Sequence, residues 1–435
     1  MERFALSRMK EWKENENRKP LIIRGARQVG KTWIMKTFGQ QYFEKTAYVN
    51  FDNNARMKQV FEGDLDIERL VLAISAETGV SIEAENTLII FDEIQEVPKA
   101  LTSLKYFHEN APQYAIVAAG SLLGVALHQG TSFPVGKVDF LDLYPLNFRE
   151  FLCAMGEKQF VSMLDSCDTQ MVTVFKTKYI ERLREYYFVG GMPEVVKDFS
   201  EKKDYNRVRV IQKNLINYYQ QDFSKHAEIK LVPRLNLVWN SIPMQLAKEN
   251  KKYIYGQVRE GSRAKDFELA IQWLLDCGLI HKVQRIQKPD LPLKAYIDFD
   301  AFKLFLVDIG LLIAMTDLDA KVIIEGNKIF TEFKGALTEQ YILQQLISDV
   351  GVIPYYYSTQ NSKGEIDFLV QGKTSVIPIE VKAEENLKAK SLKAFCEKHQ
   401  PSYAVRTSMS DYREQDWMTN IPLYAIKWIE NYVNQ

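Results

Sequence analysis

Residues 25–32 read Gly25-Ala26-Arg27-Gln28-Val29-Gly30-Lys31-Thr32: two glycines separated by four residues, then lysine and threonine. Glycine reaches backbone conformations closed to other residues, so a loop spaced this way can turn its N–H groups onto an oxyanion. The loop follows the apolar run Leu21-Ile22-Ile23 and opens a helical pattern. The helix N-terminus then adds its partial positive charge to the same point. In such a loop the lysine reaches the β- and γ-phosphate oxygens and the threonine hydroxyl holds Mg²⁺. The expected ligand is ATP with Mg²⁺, bound by residues 25–32 together with the adjoining Trp33.

That loop needs a strand ending in acids, and the chain supplies one. Leu88-Ile89-Ile90-Phe91 is wholly apolar and runs into Asp92-Glu93. Ligands of open α/β sheets bind outside the carboxyl ends of the strands. Asp92 is therefore placed to hold Mg²⁺ through water and Glu93 to polarise the attacking water. Further short apolar runs lie at 46–51, 115–119 and 138–141, without clean alternation, as in parallel strands buried on both faces. With helical segments between them they predict a doubly wound α/β domain. The run at 115–119 ends in Gly120-Ser121, where Ser121 can sense the γ-phosphate or simply close a turn. Lys137 and Arg149 are candidate transition-state cations, and each is equally a surface charge.

Lysine plus arginine equals aspartate plus glutamate, 56 each, so net charge favours neither nucleic acid nor a membrane surface. The four cysteines form no CxxC pair, the N-terminus is charged, and no run of about 18 apolar residues occurs. Those features fit a cytoplasmic chain without a spanning helix. At 435 residues the chain has room for several domains. The expected parts are an ATPase domain over 1–154, a helical lid or connector over 155–232, a winged-helix-like module over 233–298, and an α/β domain over 299–435. The last is read as opening with a helix near Phe302–Met315.

These motifs, with Asp92-Glu93-Ile94-Gln95, Pro145-Leu146-Asn147-Phe148-Arg149-Glu150-Phe151 and Gly190-Gly191-Met192-Pro193-Glu194, resemble a bacterial and archaeal family of AAA-type ATPases. Members join the ATPase to a C-terminal region similar to PD-(D/E)XK nucleases, and the resemblance covers nearly the whole chain. Gly136-Lys137 stands where the family pattern has Gly-Arg, which puts an arginine finger there in doubt. By analogy with ring-forming ATPases, a homo-oligomer is expected.

Residues 248–288 hold nine lysines and arginines against five acids, a local excess of four in a neutral chain. Basic residues beside a recognition helix suit DNA phosphate contact, and the same module can instead pack on protein.

Further on, Glu380 and Lys382 are two apart and share a strand face. If Gln371–Thr374 close a hairpin with Val370 opposite Ser375, Asp367 lies opposite Pro378, diagonal to Glu380 and on the same side. Carboxylates converging on Mg²⁺ beside a lysine are what phosphodiester hydrolysis needs. A charged solvent face of an ordinary hairpin has the same pattern. The resemblance carries over to Glu339 as the helical acid, with Asp367, Glu380 and Lys382, Asp367 and Glu380 being the metal ligands. The reading is an ATP-hydrolysing protein acting on DNA with a Mg²⁺-dependent nuclease-like C-terminal domain. The alternative is a regulatory ATPase switch whose C-terminal domain binds without cutting.

Overall fold

A computed structural model describes residues 1–120, 133–248, 251–325, 331–359, 364–384 and 389–435, the side chains of 331 and 332 excepted. Ser121 lies outside the described residues. The chain divides into two compact units. The first spans residues 2–144 with 276–278, and the second spans 145–275 and 279–435 with residue 1.

In the first unit five strands form one parallel sheet: β1 (Leu21–Arg24), β2 (Lys45–Asn50), β3 (Thr87–Asp92), β4 (Ala115–Ala119) and β5 (Asp139–Asp142). Their order is β2-β3-β4-β1-β5. Every residue of β3 and β4 is buried, which is why their sequences show no alternation. From β1 the chain crosses to the far edge and returns through β3 and β4, then passes β1 to reach β5. The direction of winding thus reverses at β1, where an open parallel sheet leaves a crevice at its carboxyl ends.

The second unit takes in the segments expected as connector, winged helix and C-terminal domain. Residues 158–226 are helical, with helices at Lys176–Val189 and Pro193–Lys202 broken at Gly190-Gly191. The helices Val232–Leu246 and Ala264–Asp276 precede β6 (Ile280–Ile286) and β7 (Ile297–Leu306). Strands β6 and β7 pair antiparallel as a wing would. They do not stand free, because β6 also pairs with β8 (Tyr355–Ser358), and both belong to an eight-stranded mixed sheet. The helix expected near Phe302–Met315 is therefore in part a strand. Ala301 to Leu306 are buried on both faces, so their alternation is lost, and the helix begins only at Ile309.

Beyond β8 the sheet continues through β9 (Glu365–Gln371), β10 (Val376–Val381) and β11 (Val405–Ser408), then β12 (Arg413–Gln415) and β13 (Met418–Pro422). The helix Thr331–Gln345 runs into a wider turn, Leu346–Val350, ahead of β8, and Lys390–His399 lies between β10 and β11. Strands β8, β9 and β10 form an antiparallel meander, and β11 pairs parallel to β10.

Asp308 holds the middle of this unit and is fully buried. It caps the helix Ile309–Met315 by accepting from Leu311 N at 3.1 Å, and it accepts from Gly191 N at 2.6 Å. Burial raises its carboxyl to about 6, and the N–H bonds oppose that shift. The two glycines are there because nothing else fits: a Cβ on Gly190 would lie 2.2 Å from Asp308 Oδ1, and one on Gly191 would lie 2.1 Å from Leu146 O. Pro145–Phe151 joins the same unit. Asn147 caps the helix Phe148–Ala154 in a capping box with Glu150, and Phe148 N donates to Gln345 Oε1 at 2.8 Å. Gly191→Ala is expected to lower the second unit's stability by about 2 kcal/mol or more, seen as a lower thermal midpoint, because the methyl meets backbone rather than a movable side chain.

Candidate functional site

The glycine-rich loop joins β1 to the helix Lys31–Tyr42, with Gly25 at φ 147° and Gly30 at φ 94°. A Cβ on Gly25 would fall 2.1 Å from Leu143 O, so that position is held to glycine by contact as well as by conformation. Lys31 is 7% exposed, and its ammonium donates to Gly25 O at 2.9 Å and Ala26 O at 2.8 Å. Burial lowers its pKa to about 8, against the pull of Glu93 and Asp92.

Asp92 ends β3 at 3% exposure and gathers the polar groups around it. Its Oδ2 accepts from Thr32 Oγ1 at 2.7 Å and Tyr48 Oη at 2.9 Å, and Oδ1 accepts from Glu93 N at 3.1 Å. Burial, then the Asp92 charge, holds the Tyr48 hydroxyl well above its ordinary pKa, so it stays a donor. Glu93 is left-handed at φ 51°, a costly backbone for a non-glycine residue and a frequent mark of functional sites. Gln95 Nε2 fixes its carboxylate at 2.7 Å. The structure thus brings together Lys31, Thr32, Asp92 and Glu93. Trp33 is 41% exposed on the first turn of the helix. A hydroxyl and a carboxylate side by side are hard oxygen donors of the kind Mg²⁺ takes. Tyr48 is the residue sequence reasoning missed, and parallel pairing of β2 with β3 delivers it.

Neither candidate cation is uncommitted. Lys137 pairs with Glu109 at 3.0 Å, and Arg149 pairs with Asp165 at 2.6 Å and Asp349 at 3.4 Å.

In the second unit the β9–β10 pairing register differs from expectation by two residues. Gln371 pairs with Val376 and Val370 with Ile377, so the link is residues 372–375. Pro378 meets Leu369 rather than Asp367, and the same register carried one step further sets Asp367 opposite Glu380. A shift of two preserves which face each side chain takes, so Asp367, Glu380 and Lys382 still share one side. That side is not a solvent face, since Glu380 is 4% exposed.

The acids there are already bonded within the chain. Glu380 takes Lys382 Nζ at 2.6 Å and Leu392 N at 3.2 Å, and Asp367 takes Val381 N at 2.7 Å. Glu339, on the helix Thr331–Gln345, meets two lysines: Lys251 Nζ at Oε1, and Lys303 Nζ at Oε2, 3.5 Å away. The Lys303 side chain has no exposure and also pairs with Glu365. Burial pushes the Lys303 pKa down, and Glu339, Glu365 and Asp367 together more than reverse it, for a net upward shift. Burial raises Glu339 too, but Lys251 and Lys303 overcome it and hold its carboxyl below the usual range. Burial, then the Glu339 charge, raises the Asp367 carboxyl above the usual carboxylate range. Among the described residues no three His, Cys, Asp or Glu side chains are grouped to hold a metal. Lys251, Lys303 and Glu365 were missed from sequence. The available signal was a lone lysine inside the apolar run Ala301–Val307.

The basic stretch is thinner than its count implied. Lys251 pairs with Glu339, Arg285 with Asp298 and Lys288 with Asp290, and Lys282 lies 4.2 Å from the centre of the Phe302 ring. Arg259, Arg263 and Lys265 are exposed. Arg234 and Arg259 line a cleft of about 360 Å³ with Ser262 and Phe267, and Glu260 and Asp266 share its wall.

Residues 17–152, which take in most of the first unit, match a family model described as AAA domain. Residues 180–322 and 334–426 match models described only as domains of unknown function, DUF8612 and DUF4143. No curated protein matches the chain. Among solved structures, the Walker-type ATPase PABY2304 of Pyrococcus abyssi is 15% identical, with 72% of this chain and 95% of that chain covered at a TM-score of 0.44. The Aeropyrum pernix ORC1 protein in complex with DNA is 13% identical over 72% and 91%, at 0.27. The Thermotoga maritima RuvB Holliday junction branch migration motor is 12% identical over 64% and 87%, at 0.28. No helix among the described residues is long and apolar enough to cross a membrane.

Removing one member of a buried ion cluster strands the others. Lys303→Met is therefore expected to cost about 3–5 kcal/mol at neutral pH in denaturant unfolding. The loss should shrink in acid, where the carboxylates become neutral in the variant.

Proposed function

We propose that this chain binds and hydrolyses ATP and acts on DNA, with ATP turnover in the first unit governing what the second unit does. The observation that supports the first half best is the convergence of Thr32, Asp92 and Glu93 at the carboxyl end of β3, beside the lysine-bearing loop. Lys31 and the loop N–H groups hold the phosphates, and Thr32 and Asp92 are the residues to hold Mg²⁺, whose charge offsets that of the phosphate oxygens when bound. Glu93, kept in place by Gln95, accepts a hydrogen bond from the attacking water and orients it. Exposed Arg234, Arg259, Arg263 and Lys265 favour contact with DNA phosphates through the helix Ala264–Asp276, in a winged-helix-like use of residues 233–298.

A second reading concerns residues 299–435. The Asp367, Glu380 and Lys382 face, with Glu339, favours a nuclease-like domain, while the two lysines on Glu339 favour a domain that binds without cutting. As arranged, these residues do not fit a metal ion, and the switch reading is preferred for this unit.

Glu93→Gln is expected to keep ATP binding and reduce hydrolysis about a hundredfold or more, as loss of a water-orienting group does; unchanged turnover would remove Glu93 from the site. Lys31→Ala should lose binding. The affinity has a pH signature. Lys31 titrates near 8 in the folded chain, and the phosphates need its ammonium form. Affinity should be flat below that pH and fall up to tenfold per unit above it, because each binding event must then take up a proton. Fluorescent-nucleotide titration from pH 7 to 9.5 checks this.

For DNA, the Arg234→Ala/Arg259→Ala double variant should weaken binding and flatten the slope of log affinity against log salt by about two. A wild-type affinity independent of salt would refute the phosphate contact. The same labelled DNA, incubated with Mg²⁺ or Mn²⁺ with and without ATP, tests cleavage. Cutting that vanishes in Asp367→Ala would favour the nuclease reading.

A further inference from the structure

Glu339 and Lys303 are nearly or fully buried, and Glu380 is 4% exposed. A carboxylate is taken out of water at high cost unless a cation meets it. Here both oxygens of Glu339 meet ammonium groups of the chain itself, Lys251 on one and Lys303 on the other. The two lysines are not equivalent. Lys303 projects from the interior of β7, where Val283 of β6 is its partner in the ladder, so moving it means opening the sheet. Lys251 comes from the segment between the helix Val232–Leu246 and the short helix Tyr255–Val258, and its side chain keeps 15% exposure. It can leave Glu339 by rotating its own side chain.

We propose that Lys303 and Lys251 stand where a divalent cation would otherwise be needed, so that the cluster is held together without metal, and that Lys251 is its exchangeable member. This rests on the preferred reading of residues 299–435, a nuclease-like domain that binds without cutting because lysines hold Glu339. In the resting chain each Glu339 oxygen is met by a lysine ammonium. Removing the Lys251 ammonium uncovers Oε1 and leaves the acids one positive charge short, which a divalent ion can supply. Lys251 therefore acts as an internal competitor for metal. It also lies among Lys248 and Lys252, so a polyanion that draws this segment would weaken the same contact.

The test is Mn²⁺ binding by the full-length protein, followed by electron paramagnetic resonance. Asp92→Asn is present throughout to remove the first unit's carboxylate. The parent should show no site in the micromolar range. Lys251→Met should gain one, at least tenfold tighter than anything in the parent and lost again on adding Glu339→Gln. Lys251→Arg, which keeps the charge, should behave as the parent. If the parent binds Mn²⁺ as tightly as Lys251→Met, the competition is refuted while the metal-site reading survives. If neither binds, both fail. Should Lys251→Met not fold, amine labelling read by mass spectrometry decides. Lys251 should label several times faster in Glu339→Gln than in the parent, with Lys248 unchanged, and equal rates would overturn the proposal.

Discussion

Asp308 sits between two elements that are far apart in sequence, and its carboxylate bonds to both. One oxygen closes the first turn of the helix Ile309–Met315, while the other receives Gly191 N and, at 3.3 Å, Gln344 Nε2. The tight glycine pair, the helix that follows β7 and the helix Thr331–Gln345 are positioned by that single charge. Its pKa is higher in the fold than in a free chain. Its contribution to stability is therefore greatest in acid and is lost as pH rises through about 6. The node is retained for geometry at some cost in neutral solution, because no apolar side chain can accept the bonds that Gly191 and Leu311 offer.

The same constraint recurs wherever charge has left water. Asp92 is matched by two hydroxyls and a backbone N–H, Lys31 by two carbonyl oxygens, and Glu339 by two ammonium groups. The partners differ in what they permit. Hydroxyls and carbonyls leave a site's net charge unchanged, so the carboxylate or ammonium they hold keeps its charge for an ion or a phosphate. Lysines cancel the charge outright. The acid at a strand end is thus chemically open in the first unit, and the helical acid Glu339 is closed in the second.

Much of the first unit was legible because its information is local. The glycine spacing, the apolar strand and the terminal acids lie within short windows, and a parallel sheet buried on both faces writes itself as unbroken apolar runs. Tyr48 escaped because its role depends on which strand β2 lies beside. In the second unit the reading failed at Phe302–Leu306 for a related reason: a strand buried on both faces has no period, and its apolar residues pass for a helix. Lys303 was hidden by that error. The lysine count over 248–288 also misled, since several of those charges are satisfied inside the fold, and a sum over sequence does not distinguish an inward ammonium from an outward one. The hairpin register was misplaced by two residues and its polar face survived, because facing depends on parity alone.

That survival has a consequence for how the chain can vary. Side-chain direction alternates with every residue, so the parity of the β9–β10 pairing, and not the length of the link at 372–375, decides which face is charged. A slip of two moves β10 along β9 and changes which residues are neighbours, yet Glu380 and Lys382 keep their side of the sheet. A slip of one would turn Ile377, Ile379 and Val381 to the other face and send the charged pair to the opposite layer. Variation is therefore quantised in the register and free in the loop: relatives that keep the acidic face can differ in the number of residues in the link, so long as the strands pair in the same parity.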